Sequence, residues 1–294
     1  MTLVVGAAAH GSPGVSTALQ LVASLWVAND AVPVVVEADA TGGVLAARYG
    51  LTLSPGFVTL AESLRKFESP PLLSHAQRLP SGVACVALSP SATAASAQMR
   101  SAGPFLGPYL AQTGLPVLLD AGMVVPDGKA VAAITAADLL LWFVRPTREE
   151  LLVLRHRLAE CPQPDNVGIV LVGNVPYNAE QVSQALGVRV LHTLPIDRRG
   201  AMAANLGGDD RFLRRSPLAR SCSQLVTAIE AQVGLPVVAP AAVVDQTSQP
   251  EILQVPMSEP PAEELRVWEP EQTTRMQVVE DADLVVWTKK DPSP

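Results

Sequence analysis

Lysine is scarce in this sequence. Four occur in 294 residues, the first at Lys66, and the first arginine is Arg48. The region before Arg48 holds no permanent side-chain cation, only His10, a residue type mostly neutral at pH 7. Charged residues make up 17% of the chain against 48% hydrophobic, which suits a substantial buried core. Long apolar runs are missing too. The longest, Leu139-Leu140-Leu141-Trp142-Phe143-Val144, falls far short of the ~20 residues that cross a bilayer, so membrane insertion is not expected. The N-terminus shows no basic segment followed by a long apolar stretch, so no secretory signal is expected. Cysteine is limited to Cys85, Cys161 and Cys222, with no CxxC spacing, and the four histidines are scattered. Neither a zinc site nor a disulfide framework is indicated. Reduced thiols near the core and a cytoplasmic location are expected.

What is present is unevenly distributed. The net charge is −7, and residues 235–294, with 11 acidic and 4 basic side chains, carry all of it. That asymmetry marks a boundary. Before it, short β-branched runs recur at 3–5, 34–36, 83–88, 117–119, 139–144, 167–172 and 188–191. Continuous apolar runs of this kind suit strands buried on both faces. Helical stretches lie between them, at 16–29, at 148–161 with an amphipathic pattern, and at 217–233. The alternation predicts an α/β fold, a doubly wound and mostly parallel sheet flanked by helices, over 1–234. After Gly234 prolines and acids dominate, and 235–294 is expected to be a flexible, acidic tail. Two short tryptophan-bearing segments, at 265–269 and 283–289, are candidates for binding a protein partner.

The densest local signal is at the first strand. Leu3-Val4-Val5 runs into His10-Gly11-Ser12-Pro13-Gly14-Val15-Ser16-Thr17, a strand, a glycine-rich turn and a helix start. That context lets backbone N–H groups close on phosphate oxygens, with the positive end of the helix dipole behind them. The general pattern GxxxxGK[ST] also places a lysine on the phosphates and a hydroxyl on magnesium. The segment resembles the phosphate loop KGGxGKTT of the ParA/MinD family. Gly11, Gly14, Ser16 and Thr17 match, whereas His10 and Val15 stand where that family has its two lysines. Further segments follow in the family's order. Glu37-Ala38-Asp39-Ala40-Thr41-Gly42-Gly43 resembles DxDPxGG. Leu118-Leu119-Asp120 resembles the strand end whose aspartate helps hold magnesium. Val170-Leu171-Val172-Gly173-Asn174 resembles the strand whose asparagine reads adenine. Leu194-Pro195-Ile196-Asp197 resembles the segment beside the base, and Ser216-Pro217-Leu218-Ala219 the start of the last helix. The resemblance spans 1–233 and implies a P-loop NTPase fold.

It also implies a site: Gly11, Gly14, Ser16, Thr17, Asn174, Pro195 and Asp197 toward a nucleotide, with Ser16, Asp39 and Asp120 toward its magnesium. The missing lysines change what such a site can do. Removing one charged donor to a developing oxyanion costs about 3–4 kcal/mol of transition-state stabilisation, and Pro13 removes one backbone N–H from the loop. No catalytic residue is assigned and no cofactor is expected. The alternatives are ATP or ADP held without turnover, and slow hydrolysis assisted by a distant arginine such as Arg145. In the family the signature lysine reaches across a dimer, so a homodimer here would rest on protein contacts alone. The arginines at 198, 199, 211, 214, 215 and 220 are interleaved with Asp197, Asp209 and Asp210 in a formally neutral body. That argues against non-specific DNA binding and for internal ion pairs or an acidic partner. The expected function is a ParA/MinD-like pseudo-ATPase, a localisation or scaffolding subunit of a bacterial assembly. The alternative is an ATP-binding partition or positioning ATPase with weak or partner-dependent hydrolysis.

Overall fold

The first strand, β1 (Thr2–Ala8), is buried at every position, and its side chains alternate between two hydrophobic clusters. Leu3, Val5 and Ala7 enter one; Val4 and Ala8 enter the other. A strand covered on both faces must be apolar throughout, as the sequence indicated. In this computed structural model the described residues are 2–26, 33–207 and 210–233, the side chains of 210–212 excepted. All lie within the unit Met1–Ala242. The expected tail over 235–294 and its two tryptophan segments lie outside the described residues.

The other strands are β2 (Val34–Glu37), β3 (Gln77–Arg78), β4 (Ala84–Val86), β5 (Pro116–Met123), β6 (Leu139–Val144), β7 (Val167–Val172) and β8 (Val190–Leu194). They form one sheet in the order β3-β4-β2-β5-β1-β6-β7-β8. Every pairing is parallel except β3 with β4. The helices are α1 (Val15–Leu25), α2 (Leu45–Tyr49), α3 (Phe57–Arg65), α4 (Ala92–Leu110), α5 (Val131–Thr135), α6 (Arg148–Glu160), α7 (Ala179–Leu186), α8 (Arg198–Asn205), α9 (Asp210–Arg215) and α10 (Pro217–Val233). Residues of α3 to α7 cover one face of the sheet, and residues of α1, α2 and α10 cover the other. This is the doubly wound arrangement expected, and it places the loops that leave β1, β2, β5, β6, β7 and β8 along one carboxyl-end edge, where open α/β sheets bind ligands. Among the described residues no helix is long and apolar enough to cross a membrane.

Three local features depart from the sequence pattern. The helix expected to run to residue 29 ends at Leu25, where Trp26 turns to extended backbone with its ring buried. The short antiparallel strand β3 carries no periodic signal in two residues. α4 continues through Pro104 and Pro108, each following a glycine. Gly103 and Gly107 have no Cβ to crowd the proline ring, and a Cβ on either would collide with backbone carbonyls of Lys129 or Ala132 on the adjoining segment. The same two glycines thus relieve the proline clash and admit α5.

Candidate phosphate site

The loop between β1 and α1 is shaped by two glycines with left-handed backbone, Gly11 (φ 63°) and Gly14 (φ 100°), a conformation that costs other residues about 1–2 kcal/mol. Gly14 is the N-cap of α1 and offers no side chain to cap it. The first N–H groups of α1 have no intrahelical partner, and among the described residues no side chain caps them. The hydroxyl of Ser16 hydrogen-bonds Asp120, at the carboxyl end of β5. Asp120 is 3% exposed and also accepts a hydrogen bond from the Gly122 N–H at 3.0 Å. Burial pushes its carboxyl up from 3.8 to about 7; Glu37 and Asp39 push the same way, and the Ser16 and Gly122 hydrogen bonds oppose them.

Glu37 and Asp39 differ in what holds them. Glu37 is buried. Its Oε1 accepts from the N–H groups of Val44 at 2.7 Å and Leu45 at 2.9 Å, and its Oε2 from that of Leu88 at 3.0 Å. Burial raises its pKa and those three bonds partly offset the rise. The extra methylene relative to aspartate lets one carboxylate tie the loop after β2 to the loop after β4. Glu37 is therefore a buckle between two loops, with both carboxylate oxygens engaged by backbone N–H groups. Asp39 keeps a shorter reach. Its Oδ1 accepts from the backbone N–H and hydroxyl of Thr41 at 2.8 and 2.7 Å, while its Oδ2 lies against Gly122, where any Cβ would collide with it. Among the described residues no group of three or more His, Cys, Asp or Glu side chains is placed to hold a metal ion.

The two positions that carry lysine in the resembled motif are filled differently. His10 is exposed. Val15 is 6% exposed and packs over Gly6 in the cluster beneath α1. The cation at this loop comes from elsewhere in the chain. Arg145 follows β6, whose Phe143 pairs with Ala8 of β1, so its side chain starts beside the loop. Its Nη2 donates to the Ser12 carbonyl at 2.9 Å, and its Nη1 pairs with Glu150 Oε1 at 2.9 Å. The hydroxyl of Thr17 donates to Asn205 Oδ1 at 3.0 Å, which also accepts from Gln20 Nε2 at 3.2 Å, tying α1 to α8.

At the far end of the same edge, Asn174 is exposed beyond β7, after Gly173, whose left-handed backbone brings Ile196 close. Pro195 is half-buried. Asp197 caps two helices at once: Oδ1 accepts from Gly200 N–H of α8 at 2.8 Å, and Oδ2 from Leu218 N–H of α10 at 3.2 Å. All the sequence-singled residues thus lie on one edge. Ser16 meets Asp120, with Asp39 beside it against Gly122, whereas Asn174, Pro195 and Asp197 gather at the β7–β8 end. Arg145 was legible only as an arginine directly after the strongest apolar run, and nothing in the sequence marks Asn205. Of the arginine-rich stretch, Arg198, Arg199, Arg215 and Arg220 form no ion pair among the described residues; the side chains at 210–212 lie outside the description.

Comparison by sequence with protein-family models and with curated proteins finds no match. Comparison of the fold with solved structures does. A ParA family ATPase from Chlorobium tepidum TLS is 16% identical with a TM-score of 0.65, over 76% of this chain and 98% of that one. The MinC:MinD cell division protein complex of Aquifex aeolicus gives 12% identity and a TM-score of 0.58, over 79% and 96%. The ATP complex of Cyanothece McdA(D38A) gives 16% and 0.58, over 81% and 98%. The chain has the ParA/MinD fold. The identities establish the fold alone, and the ParA/MinD comparison leaves the chemistry at the loop to be read from the residues themselves.

Proposed function

We propose that this chain is a ParA/MinD-like pseudo-ATPase acting as a localisation or scaffolding subunit of a bacterial assembly. The observation that carries the proposal is the wiring around the loop. Val15 is buried in the core, Glu37 is tied to three backbone N–H groups, and the Thr17 hydroxyl is engaged by Asn205. Phosphoryl transfer is catalysed by positioning and by stabilising charge on the moving phosphoryl group, and each missing charged donor removes about 3–4 kcal/mol of that stabilisation. The residues present fit a phosphate group better than they fit its transfer. Two left-handed glycines, the uncapped start of α1 and the Arg145 guanidinium offer donors to an anion. Asn174 is exposed where a base would lie. With magnesium, Ser16, Asp39 and Asp120 are the groups at hand.

A second feature, a groove, supports the scaffold role. Between α6 and α7 runs a groove of about 270 Å³ lined by Leu151, Leu152, Tyr177 and Leu186, with Arg148 and Arg155 alongside and no acidic residue. Neither arginine forms an ion pair among the described residues. Charge complementarity favours an acidic peptide with a bulky apolar side chain, supplied by the partner protein.

Titration with labelled ATP and magnesium, together with a phosphate-release assay, tests the proposal. Turnover is expected at background. Measurable turnover that disappears in Thr17→Ala would overturn it and establish the second reading, a positioning ATPase with weak or partner-dependent hydrolysis. The placement of Arg145 at the loop favours that second reading over any other enzyme.

A further inference from the structure

We infer that Arg145 replaces the missing loop lysines as the phosphate-contacting cation, and that Glu150 holds it in position for that role. The inference rests on the loop being a nucleoside-phosphate site, as proposed above.

A guanidinium carries five N–H donors in a planar fork suited to phosphate oxygens. Arg145 uses Nη2 on the Ser12 carbonyl and Nη1 on Glu150 Oε1, which leaves three N–H groups and a side chain 44% exposed. Nη1 lies 3.9 Å from where a Cβ on Gly11 would sit. The guanidinium therefore overlies the Gly11–Ser12 part of the loop, within reach of an anion seated on the loop N–H groups. The residue arrives there by register, since β6 runs parallel to β1 and the chain emerges beside the loop.

Glu150 fixes this geometry at two points. Oε1 takes the guanidinium and Oε2 takes the Arg145 backbone N–H at 2.8 Å. The carboxylate is 8% exposed and sits in the first turn of α6, where the helix dipole favours it. The side chain is thus ordered before any ligand arrives, which lowers the entropic cost of binding. A loop closed only for mechanical reasons would need the Ser12 contact but neither the exposure nor the unused donors.

Isothermal titration of the full chain with ADP and, separately, with adenosine tests the assignment. Charge-assisted contacts contribute enough that Arg145→Gln should weaken ADP binding about 10- to 100-fold while leaving adenosine binding unchanged. Arg145→Lys, which keeps the charge and loses the fork, should fall between the two. Glu150→Gln should weaken ADP by a smaller factor, as expected of a positioning residue. If Arg145→Gln fails to fold, Arg145→Lys carries the test. ADP affinity unchanged in the folded Arg145 variants, with only a lowered melting temperature, would make the residue a structural latch and overturn the inference. So would wild-type protein that binds neither ADP nor inorganic pyrophosphate. Turnover of ATP by the wild type would overturn the pseudo-ATPase proposal alone and leave the binding comparison to judge Arg145.

Discussion

Asparagine at position 120 should stabilise the protein at alkaline pH and do progressively less as the pH falls. Asp120 is the one loop-facing carboxylate whose ionisation the fold opposes strongly, raised from 3.8 to about 7 by burial. At ~1.36 kcal/mol per pKa unit, the ionised form carries a penalty of about 4 kcal/mol in the folded state. The sign follows from linkage. Because the folded pKa lies above the unfolded one, the penalty is absent below pH 3.8, grows as pH rises and is complete above about 7. Asparagine has the same shape and no titration. Urea denaturation of wild type and Asp120→Asn at pH 5 and pH 8 should show the stability difference growing by about 2–3 kcal/mol in favour of the variant between the two. Any constant change from altered hydrogen bonds to Ser16 and Gly122 cancels in that comparison. A difference that stays flat from pH 5 to pH 8 would refute the buried, ionisation-resisting Asp120 described here. Adding magnesium and ADP extends the assay, because a divalent cation stabilises the ionised carboxylate and would flatten the slope.

Two further substitutions probe the frame of the site. Asp197→Ala removes the side-chain cap of α8 and one of two side-chain acceptors at the start of α10, where Ser216 Oγ still takes the Ala219 N–H, and at ~1 kcal/mol per cap should lower the unfolding free energy by about 1–2 kcal/mol; Asp197→Asn, which can still accept hydrogen bonds, should lose less by the same denaturation assay. Val15→Lys returns a lysine to the loop but places its stem where valine now packs against Gly6, so the melting temperature should fall while phosphate release stays at the wild-type level, since Glu37 and Thr17 remain engaged.

The doubly wound sheet was legible because its signal is collective. Seven apolar runs with helical stretches between them admit few alternatives, and the fully buried β1 and β6 leave no face to be polar. The loop was legible because Gly11 and Gly14 must be glycine for backbone reasons. The rewiring was not, because it depends on reach across the fold. The pattern shows Glu37 as a replaced aspartate, and only the three-dimensional positions of Val44, Leu45 and Leu88 show its carboxylate bound to backbone. Asn205 meets Thr17 across 188 residues of chain, and Asp197 reaches 21 residues ahead to Leu218; no local periodicity encodes either contact. Arg145 lies between these extremes: its place at a strand end can be read, but its partner Ser12 cannot.

Helix α6 joins the phosphate loop to the apolar groove. Glu150, which grips Arg145, and Leu151, which lines the groove, are neighbours on the same rigid rod. At 1.5 Å of rise per residue α6 is about 20 Å long, so tilting it by about 10° about its middle, Leu154, displaces Glu150, about 6 Å from that point, by roughly 1 Å. A hydrogen bond of 2.9 Å is lost by about 3.5 Å. Whatever wedges into the groove would therefore have leverage on the hand that holds the loop, and under the proposed function a grip on an anion would be geared to a grip on a partner.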